Sequence, residues 1–589
     1  MKILNKILIT IILSLVVSFQ ALGKGYKNFE VVLYCPVDIV AKMSEGNWLK
    51  ESFKFIERNF TVDKVYLETH RHNYLIEEEK LEKVINFFKN KGIKVAGGIT
   101  TTGHKKIANH FAVYCYSDNE NKEHLKNVVE FTARHFNEII LDDFYFTSCK
   151  CSLCTNAKGE TPWPQFRMDL MQDISKEIFI KPAKAVNPNV HVIIKFPNWY
   201  EYYQYTGYDL KEEPKIFDMI YAGTETRDPV YHQQNMQPYQ SYLIMRYFEN
   251  VKPDKNGGGW IDPLDKRVLE RYAEQIRLTL LSKPKEVTLF HYGALFEKLN
   301  GDKFVGFIAP VAGNVFKKTD SFLGELGNPI GIASYRPFNA SGESYLHSYF
   351  GMLGIPVELM PTFPEKSGTI LLTEGAKADT LIIKKMKAAL LQGKNIIITS
   401  GFLRAMQNKG LEDIIMANVN GKKFFTDKFT DLNFKKFYST SKRILFPQVE
   451  FGTNDSWKEI AAISNGNSFP LLLTSSYGKG LITLIVIPDN FSDLYDLPTG
   501  ILNLIKKHVA RNLPVSIEAE GRVALFLYDN NTFVVHSFLP HKTELNIVIN
   551  SNKSIELTDL LSGKKIKRES GDKIKTVLNP YSYKVYKWR

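Results

Sequence analysis

Cysteine is scarce in this sequence, with five among 589 residues and none after Cys154. A dense disulfide framework is therefore excluded, and a hydrophobic core has to hold the chain together. Long apolar runs are also lacking, since after residues 7–17 no stretch approaches the roughly 18 apolar residues that a membrane-spanning helix requires. With 44% hydrophobic and 24% charged residues, the composition excludes disorder and indicates a globular protein of several domains.

The apolar run near the N-terminus has the layout of a secretory signal peptide. Lys2 and Lys6 flank its start, residues 7–17 form the apolar part, and small residues follow at 21–23. No cysteine stands at this exit to accept a lipid anchor. We expect residues 1–23 to be removed and the mature protein to be periplasmic or secreted, without a membrane span. A signal anchor that stays uncleaved is the alternative.

Charge of one sign prevails, with a formal net charge of +13. Lysine and arginine are scattered over predicted surface helices and do not gather in one stripe. We therefore expect no nucleic-acid partner and interpret the charge as favouring solubility, with some preference for anionic polymers.

The part of the chain up to residue 322 alternates short β-branched or aromatic runs with amphipathic stretches of helical period. Such alternation is typical of βαβ units around a parallel sheet, and eight of them match a (β/α)8 TIM barrel, which we place at residues 24–322. The eight predicted strands are 31–35, 64–68, 94–99, 138–142, 191–196, 219–222, 259–261 and 287–291.

Two further domains are predicted behind the barrel. A second alternation, beginning at 329–335 and including the very apolar strand 395–399, predicts a flavodoxin-like α/β domain over residues 323–514. The last part, 515–589, contains short alternating strands separated by Asn-Asn and Ser-Gly turns, which indicates a small antiparallel β-sandwich.

Acidic residues stand where several barrel strands end, which is where TIM barrels place their active sites. Hydrolysis of a glycosidic bond needs two carboxyl groups, one protonated and one ionised. After the fourth strand, Asp142 and Asp143 point to opposite faces, and we favour Asp143 as the reacting group and Asp142 as its support. Glu225, after the sixth strand, is the preferred second carboxylate, and Asp262, after the seventh, is its rival.

Other polar and aromatic residues at the strand ends are candidates for binding a sugar through its hydroxyl groups and its apolar face. An aromatic cluster follows the fifth strand, and Arg227 has the parity to pair with Glu225 or to bind substrate. The predicted substrate-binding residues are Glu68, His70, Lys195, Asn198, Trp199, Tyr200, Arg227, Trp260, His291 and Tyr292.

Three cysteines fall together in a C-x-C-x2-C spacing, Cys149, Cys151 and Cys154, directly after the Asp142-Asp143 strand. Cys115, on the preceding loop, can complete a set of four. Either disulfides or a structural zinc ion would suit such a set, and both would fasten the loop that carries the acids. No cofactor is expected to be required for catalysis.

The order of these three domains resembles the β-galactosidase-like GH42 architecture, and segments 331–335 and 354–357 carry the likeness. The resemblance implies a catalytic barrel, a trimerisation domain of glutamine-amidotransferase-like fold and a small β-domain. That family has an Asn-Glu pair after strand four and a Glu after strand seven, whereas this chain has Asp142-Asp143 and Asp262. We therefore transfer neither its residues nor its β-galactosidase activity.

The resemblance also bears on the second domain. Since no cysteine follows Cys154, the nucleophile of the amidotransferase fold is absent. The domain is then expected to serve homo-oligomerisation or to cover the barrel mouth. The combination of Leu141-Asp142-Asp143-Phe144 with the cysteine spacing looks more like glycosyl-hydrolase barrels of polysaccharide-degrading bacteria.

The sequence therefore predicts an exported glycoside hydrolase that acts on an oligo- or polysaccharide by paired-carboxylate catalysis. One alternative is a non-catalytic glycan-binding protein that keeps the barrel and the aromatic cluster. Another is a metal-dependent hydrolase or deacetylase using Asp38, His70, His104 and Asp142, which is disfavoured because the first strand lacks a His-x-His pair.

Overall fold

The computed structural model of the protein describes residues 25–103, 112–229, 236–264, 268–297, 304, 306–432, 435–551, 553–568 and 573–589. The predicted signal peptide and His104 lie outside these ranges. Within them, no helix combines the length and the apolar character needed to cross a membrane.

Eight parallel strands form the first sheet, and the sheet closes because β1 pairs with both β2 and β8. This confirms the predicted (β/α)8 barrel. The strands are β1 Glu30–Cys35, β2 Lys64–Arg71, β3 Lys94–Ile99, β4 Glu138–Leu141, β5 His191–Phe196, β6 Met219–Gly223, β7 Asn256–Ile261 and β8 Glu286–Phe290. A two-residue strand, Tyr74–Leu75, folds back antiparallel on the end of β2.

Helices surround the barrel and bury their apolar faces against the outward-facing side chains of the strands, as the helical period predicts. They are α1 Val37–Met43, α2 Trp48–Glu57, α3 Glu78–Asn90, α4 Asn119–His135, α5 Ser152–Lys158, α6 Trp163–Ile174, α7 Lys181–Val186, α8 Glu213–Ile216, α9 Gln240–Val251, α10 Leu269–Leu281, α11 Tyr292–Phe296 and α12 Ile308–Leu323. A π-helical segment, Ser175–Ile180, joins α6 to α7, and a 3-10 segment, Tyr200–Tyr205, follows β5.

The inside of the barrel is filled by side chains and is not a channel. Its central layer is aromatic and includes Tyr34, Tyr66, Tyr221 and Trp260. At the amino ends of the strands a buried lysine, Lys64, closes the barrel by binding two acids. The carboxyl ends are therefore the end at which side chains are available for chemistry.

The second domain contains a nine-stranded sheet. Five of its strands are parallel, as predicted for a flavodoxin-like unit, and lie in the order β10-β9-β11-β12-β17. Their bounds are β9 Ile332–Tyr335, β10 Val357–Met360, β11 Thr369–Leu372, β12 Asn395–Thr399 and β17 Gly480–Ile485. An antiparallel extension, which the sequence pattern did not predict, continues the sheet. Its strands are β13 Ala417–Asp431, β14 Phe437–Phe451, β15 Ser456–Ser464 and β16 Asn467–Tyr477.

Helices of the second domain are shorter than those around the barrel. They are α13 Leu346–Met352, α14 Ile382–Leu391, α15 Ser400–Met406 and α16 Thr499–Val509, with 3-10 segments at Glu374–Ala378, Leu411–Asp413 and Phe491–Asp496.

The last part of the chain folds into two antiparallel sheets around a separate apolar core. Its strands are β18 Val515–Glu518, β19 Val523–Tyr528, β20 Thr532–Ser537, β21 Thr543–Ile549, β22 Ile555–Asp559, β23 Lys565–Arg568, β24 Ile574–Leu578 and β25 Tyr583–Trp588. A strand from much earlier in the chain, Pro329–Ile330, completes one sheet by pairing antiparallel with β19.

Candidate active site

Lys195, at the end of β5, is the centre of a carboxylate cluster at the carboxyl ends of the barrel strands. Its Nζ lies 2.7 Å from Asp143 Oδ2, 3.2 Å from Glu225 Oε1 and 3.5 Å from Asp142 Oδ1. The side chain is 2% exposed and stands 4.3 Å above the ring of Trp260. These acids hold the pKa of Lys195 well above its usual value despite burial, so the lysine stays charged.

Both carboxylate oxygens of Asp142 accept hydrogen bonds. Its Oδ2 accepts hydrogen bonds from Arg71 Nη2 at 3.1 Å and from Thr100 Oγ1 at 3.2 Å, and its Oδ1 accepts one from the backbone N–H of Asp143. The neighbouring Lys195 and Arg71 keep its pKa below the ordinary value although burial alone would raise it. Asp142 is therefore an ionised, fully bound carboxylate that fixes its neighbours.

Glu68, at the end of β2, supports this arrangement from one layer deeper. Both of its oxygens accept hydrogen bonds, from Tyr34 Oη at 2.6 Å, from the backbone N–H of Val37 at 2.7 Å and from Arg71. The side chain is completely buried. It is a support for Arg71, and through Arg71 for Asp142, and its oxygens do not face the barrel mouth.

Asp143 is the carboxylate that reaches solvent, with 23% of its side chain exposed against 3% for Asp142. Burial is the largest influence on its pKa and raises it to about 7, opposed by Lys195 and assisted by the negative charges of Asp142 and Glu225. A carboxyl group with such a pKa carries a proton in a large fraction of molecules at neutral pH, as a general acid requires.

Glu225 lies across Lys195 from Asp143 and is 5% exposed. Burial raises its pKa, while Lys195 opposes the rise. Its Oε2 has no hydrogen-bond partner among the described residues. The backbone at Gly223 passes so close that an added Cβ would lie 2.5 Å from this oxygen. One oxygen of Glu225 is thus held by Lys195 and the other is unoccupied.

Asp262, the rival second carboxylate, forms an ion pair with Arg227. Its Oδ2 lies 2.8 Å from Arg227 Nη2, and its Oδ1 accepts a hydrogen bond from the backbone N–H of Leu264. Both residues also act on Glu225, since the charge of Asp262 raises the pKa of Glu225 and that of Arg227 lowers it. Sequence parity had suggested Glu225 as a partner of Arg227.

Of the predicted substrate-binding residues, Lys195 and Asn198 contact the acid-bearing residues. Asn198 donates from its amide nitrogen to the backbone oxygen of Glu225 at 2.5 Å. Trp199 is half-buried and packs against Phe146. Trp260 is buried inside the barrel beneath Lys195, with 2% exposure.

Other candidates lie away from the acids. His70 is buried, with Nδ1 at the Thr100 carbonyl and Nε2 at His124, and burial lowers its pKa to about 4. Tyr292 binds Ser52 through its hydroxyl and packs beneath helix α2. Tyr200 is buried against Arg336 of the second domain, whose guanidinium lies 4.6 Å from its ring.

His291, at the end of β8, is half-buried at the rim of the barrel. Burial lowers its pKa to about 4, so it is neutral near pH 7. Its Nδ1 has no partner in the part of the chain that the structure describes.

Arg71, which binds both Glu68 and Asp142, was not among the predicted site residues. The pairing of β2 with β3 shifts register between Glu68 and His70. Strict alternation would have put His70 on the same side as Glu68, whereas the irregularity turns Arg71 inward instead. A charged residue three positions after a strand-end acid was the available signal, but the irregularity itself leaves no mark in the sequence.

The four predicted cysteines do come together beside the acid-bearing loop. Cys115 Sγ lies 3.5 Å from Cys151 Sγ and 3.5 Å from Cys154 Sγ, and the four sulfurs, including that of Cys149, lie within 4.8 Å of one another. Four ligands at about 2.3 Å from a tetrahedral zinc ion stand about 3.8 Å apart, which these distances fit. All four are free thiols in this structure.

Comparison with known proteins agrees with this geometry. Residues 20–306 match a family model described as the catalytic domain of a probable glycosyl hydrolase, and residues 514–588 match the C-terminal domain of a probable glycosyl hydrolase. The barrel and the last domain of this chain are therefore similar to domains of probable glycosyl hydrolases. Residues 327–490 match the second domain of the uncharacterized protein SSO3021.

A curated relative of this chain is that same SSO3021 from Saccharolobus solfataricus, which is 26% identical over 385 residues. The alignment covers 59% of this chain and 62% of the relative, so the chain spans about three fifths of the relative's length.

Solved structures share the whole fold. Gan42B, a GH42 β-galactosidase from G. stearothermophilus, has a TM-score of 0.66 at 11% identity, with 96% of this chain and 99% of that chain covered. An α-L-fucosidase isoenzyme 2 from Paenibacillus thiaminolyticus has a TM-score of 0.64 at 11% identity, covering 96% and 100%. This confirms the GH42-like architecture that the domain order suggested. At such identities the likeness concerns the fold.

Proposed function

We propose that this protein is a glycoside hydrolase, which cleaves a glycosidic bond of an oligo- or polysaccharide with Asp143 as the proton donor and Glu225 as the nucleophile. The observation that carries the proposal is the single Nζ of Lys195, held between the two carboxylates at 2.7 and 3.2 Å. One cation neutralises one of two neighbouring acids more easily than both, so one proton is shared by the pair. The partly exposed Asp143, with its pKa near 7, is the member suited to keep it.

The separation of the two acids favours a reaction that retains the anomeric configuration. Since both lie close to one nitrogen, Asp143 Oδ2 and Glu225 Oε1 are at most about 6 Å apart. Retaining enzymes hold their carboxyl groups about 5 to 5.5 Å apart, whereas inverting enzymes leave about 6.5 to 9.5 Å for a water molecule.

The corresponding steps use only these two groups. Asp143 gives its proton to the leaving oxygen while Glu225 forms a bond to the anomeric carbon. Asp143, now ionised, then takes a proton from the water that displaces Glu225 and releases the sugar.

The test is turnover of a panel of aryl glycosides and polysaccharides by the protein without residues 1–23. We expect Asp143→Asn and Glu225→Gln each to lower kcat by roughly 10²- to 10⁴-fold. The matched control is Asp173→Asn, which neutralises an exposed acid of α6. Proton NMR of the first product gives the anomer, and an inverted product would refute retention. Normal activity of Glu225→Gln would transfer its role to Asp262.

We further propose that the four-cysteine cluster holds a structural zinc ion that fastens the loop following β4. The support is four mutually adjacent thiols at distances suited to tetrahedral binding. Elemental analysis should give one zinc per chain, lost in Cys115→Ser/Cys154→Ser and kept in Cys35→Ser, a buried thiol of β1. A single titratable thiol, that of Cys35, in the denatured, unreduced protein would instead establish two disulfides in the cluster.

Export and self-association complete the proposal. The N-terminal residues support secretion to the periplasm or medium, tested by fractionating cells that produce the full chain. Self-association is supported by large apolar side chains exposed on the antiparallel extension of the second domain, Phe437 and Trp457, both 64% exposed. Light scattering should show an oligomer that Trp457→Lys weakens.

A further inference from the structure

A cavity lies outside the barrel, at the carboxyl ends of the parallel strands of the second domain. Its volume is about 500 Å³. Residues that follow four different strands line it, among them Glu343, Glu374, Ser400 and Asp489. The strand order reverses between β9 and β11, and open α/β sheets bind ligands at the carboxyl ends beside such a reversal.

The backbone beside this cavity is strained. Gly342, Glu343 and Tyr345 have φ values of 130°, 46° and 61°. Non-glycine residues rarely adopt such values, and strain of this kind concentrates at ligand sites. It turns the Glu343 carboxylate into the edge of the sheet, where it accepts hydrogen bonds from the backbone N–H groups of Glu374 and Gly401 at 2.8 and 3.1 Å.

The cavity is lined by three acids, Glu343, Glu374 and Asp489, and by three cations, Arg404, Lys422 and Lys423. Glu343 is satisfied by the backbone, Glu374 binds Lys377, and Asp489 binds Lys423. Arg404 and Lys422 also line the cavity, are exposed, and have no ion-pair partner in the described part of the chain. Two cations are therefore available for an anionic group of a ligand.

An aromatic rim links this cavity to the barrel. The hydroxyl of Tyr202 lies 3.2 Å from Oγ of Ser344, which lines the cavity. Tyr202 and Tyr205 are 51% and 49% exposed, with ring centroids 6.1 Å apart. Sugars bind through their apolar faces to such rings. Both tyrosines follow β5, the strand that ends in Lys195.

Glu201 connects the same aromatic segment firmly to the second domain. Its Oε2 lies 2.8 Å from Nη2 of Arg336, and its Oε1 accepts a hydrogen bond from the backbone N–H of Tyr345 at 2.8 Å. The rim and the cavity are therefore fixed relative to each other.

We propose that this cavity is a second saccharide site, which binds a carboxylate- or sulfate-bearing sugar of the polymer whose scissile bond lies in the barrel. Arg404 and Lys422 bind the acidic group, and Tyr202 and Tyr205 support the sugar next to it. The inference rests on the proposed carbohydrate function in naming a saccharide as the ligand.

The experiment measures affinity by calorimetry in an Asp143→Asn background, so that the ligand is not consumed. The probes are oligogalacturonate, which carries carboxylates, dextran sulfate oligosaccharides, and neutral dextran. We expect the background protein to bind at least one acidic probe and to bind dextran more weakly. Arg404→Gln/Lys422→Gln should weaken binding of the acidic probe by tenfold or more, and Tyr202→Ala by several fold.

The matched control is Lys366→Gln/Lys384→Gln, which removes two exposed charges elsewhere in the second domain and should leave affinity unchanged. Equal affinity in the two double variants, or no binding of either acidic probe, would overturn the proposal. Failure of the catalytic proposal shows separately, as a parent protein that turns over no glycoside. Acidic probes that still bind there and still depend on Arg404 and Lys422 support the second site on its own.

Discussion

Each end of the barrel contains a buried lysine that binds acidic side chains, but the two arrangements differ. At the amino end, Lys64 binds Glu138 and Glu286 at 2.7 and 2.6 Å, and the hydroxyls of Tyr66 and Tyr221 bind the same acids. At the carboxyl end, Lys195 faces three acids instead of two. A buried lysine and its acids are thus a closed support at one end and the centre of the proposed catalytic site at the other.

Removing the two lysines gives the largest expected contrast. Lys195→Met should lower kcat/KM by roughly 10²- to 10⁴-fold, because Glu225 and Asp143 lose the cation that keeps one of them ionised while the other is protonated. Lys64→Met should leave kcat/KM within a few fold while lowering the free energy of unfolding by about 3 to 5 kcal/mol, since two acids lose their partner. Kinetics and denaturant titration of both variants measure the contrast. Equal losses of activity in the two variants would show that the two lysines do not differ in function.

The pH dependence of kcat/KM is the next expected effect. Asp143 has to be protonated to donate, and its pKa is raised to about 7, so kcat/KM should fall as the pH rises through about 7. Lys195 opposes the increase in the pKa of Asp143, so in Lys195→Met the decline of the residual kcat/KM should shift to higher pH. In Lys64→Met the pH of this decline should be unchanged. A decline at the same pH in Lys195→Met as in the parent protein would show that Lys195 is only structural.

The smallest expected effect separates two buried tyrosines. Tyr34 donates to Glu68 at 2.6 Å near the carboxyl end, and Tyr66 donates to Glu138 at 2.7 Å near the amino end. Each Tyr→Phe change should lower the free energy of unfolding by about 1.5 to 3 kcal/mol. Only Tyr34→Phe should also lower kcat, by a few fold, because Glu68 holds Arg71 and Arg71 holds Asp142. Identical kinetics for the two variants would show that Tyr34 does not act on Asp142 through Glu68 and Arg71.

Local pattern was sufficient to predict the barrel, because each strand and helix buries its own face. The eight predicted strands all correspond to observed ones, and β3 and β5 have the same bounds. The antiparallel extension β13–β16 was not predicted, because its strands carry many exposed charged residues although they pair as neighbouring hairpins. Partly exposed strands of this kind lack the apolar signal of the parallel ones.

The candidate site was predictable at the level of strand ends and not at the level of partners. Which charged residues follow which strands is readable from the sequence, and that placed Asp142, Asp143, Glu225 and Lys195 at one end of the barrel, with Lys195 predicted to bind substrate. The structure adds that Lys195 binds the three acids. Arg227, which binds Asp262, has a left-handed backbone conformation, and Arg71 binds Asp142 beside a register shift. Neither has a marker in composition or spacing.

The short strand Pro329–Ile330 has a consequence for the order of synthesis. It leaves the ribosome just after the barrel, but its partner β19 follows about 200 residues later. At about 5 to 20 residues per second, the strand waits roughly 10 to 40 seconds for its partner. The last domain can complete its sheet only by returning to a segment made long before. A nascent chain cut before residue 523 would expose that edge, so this part of the surface stays open until β19 has been made.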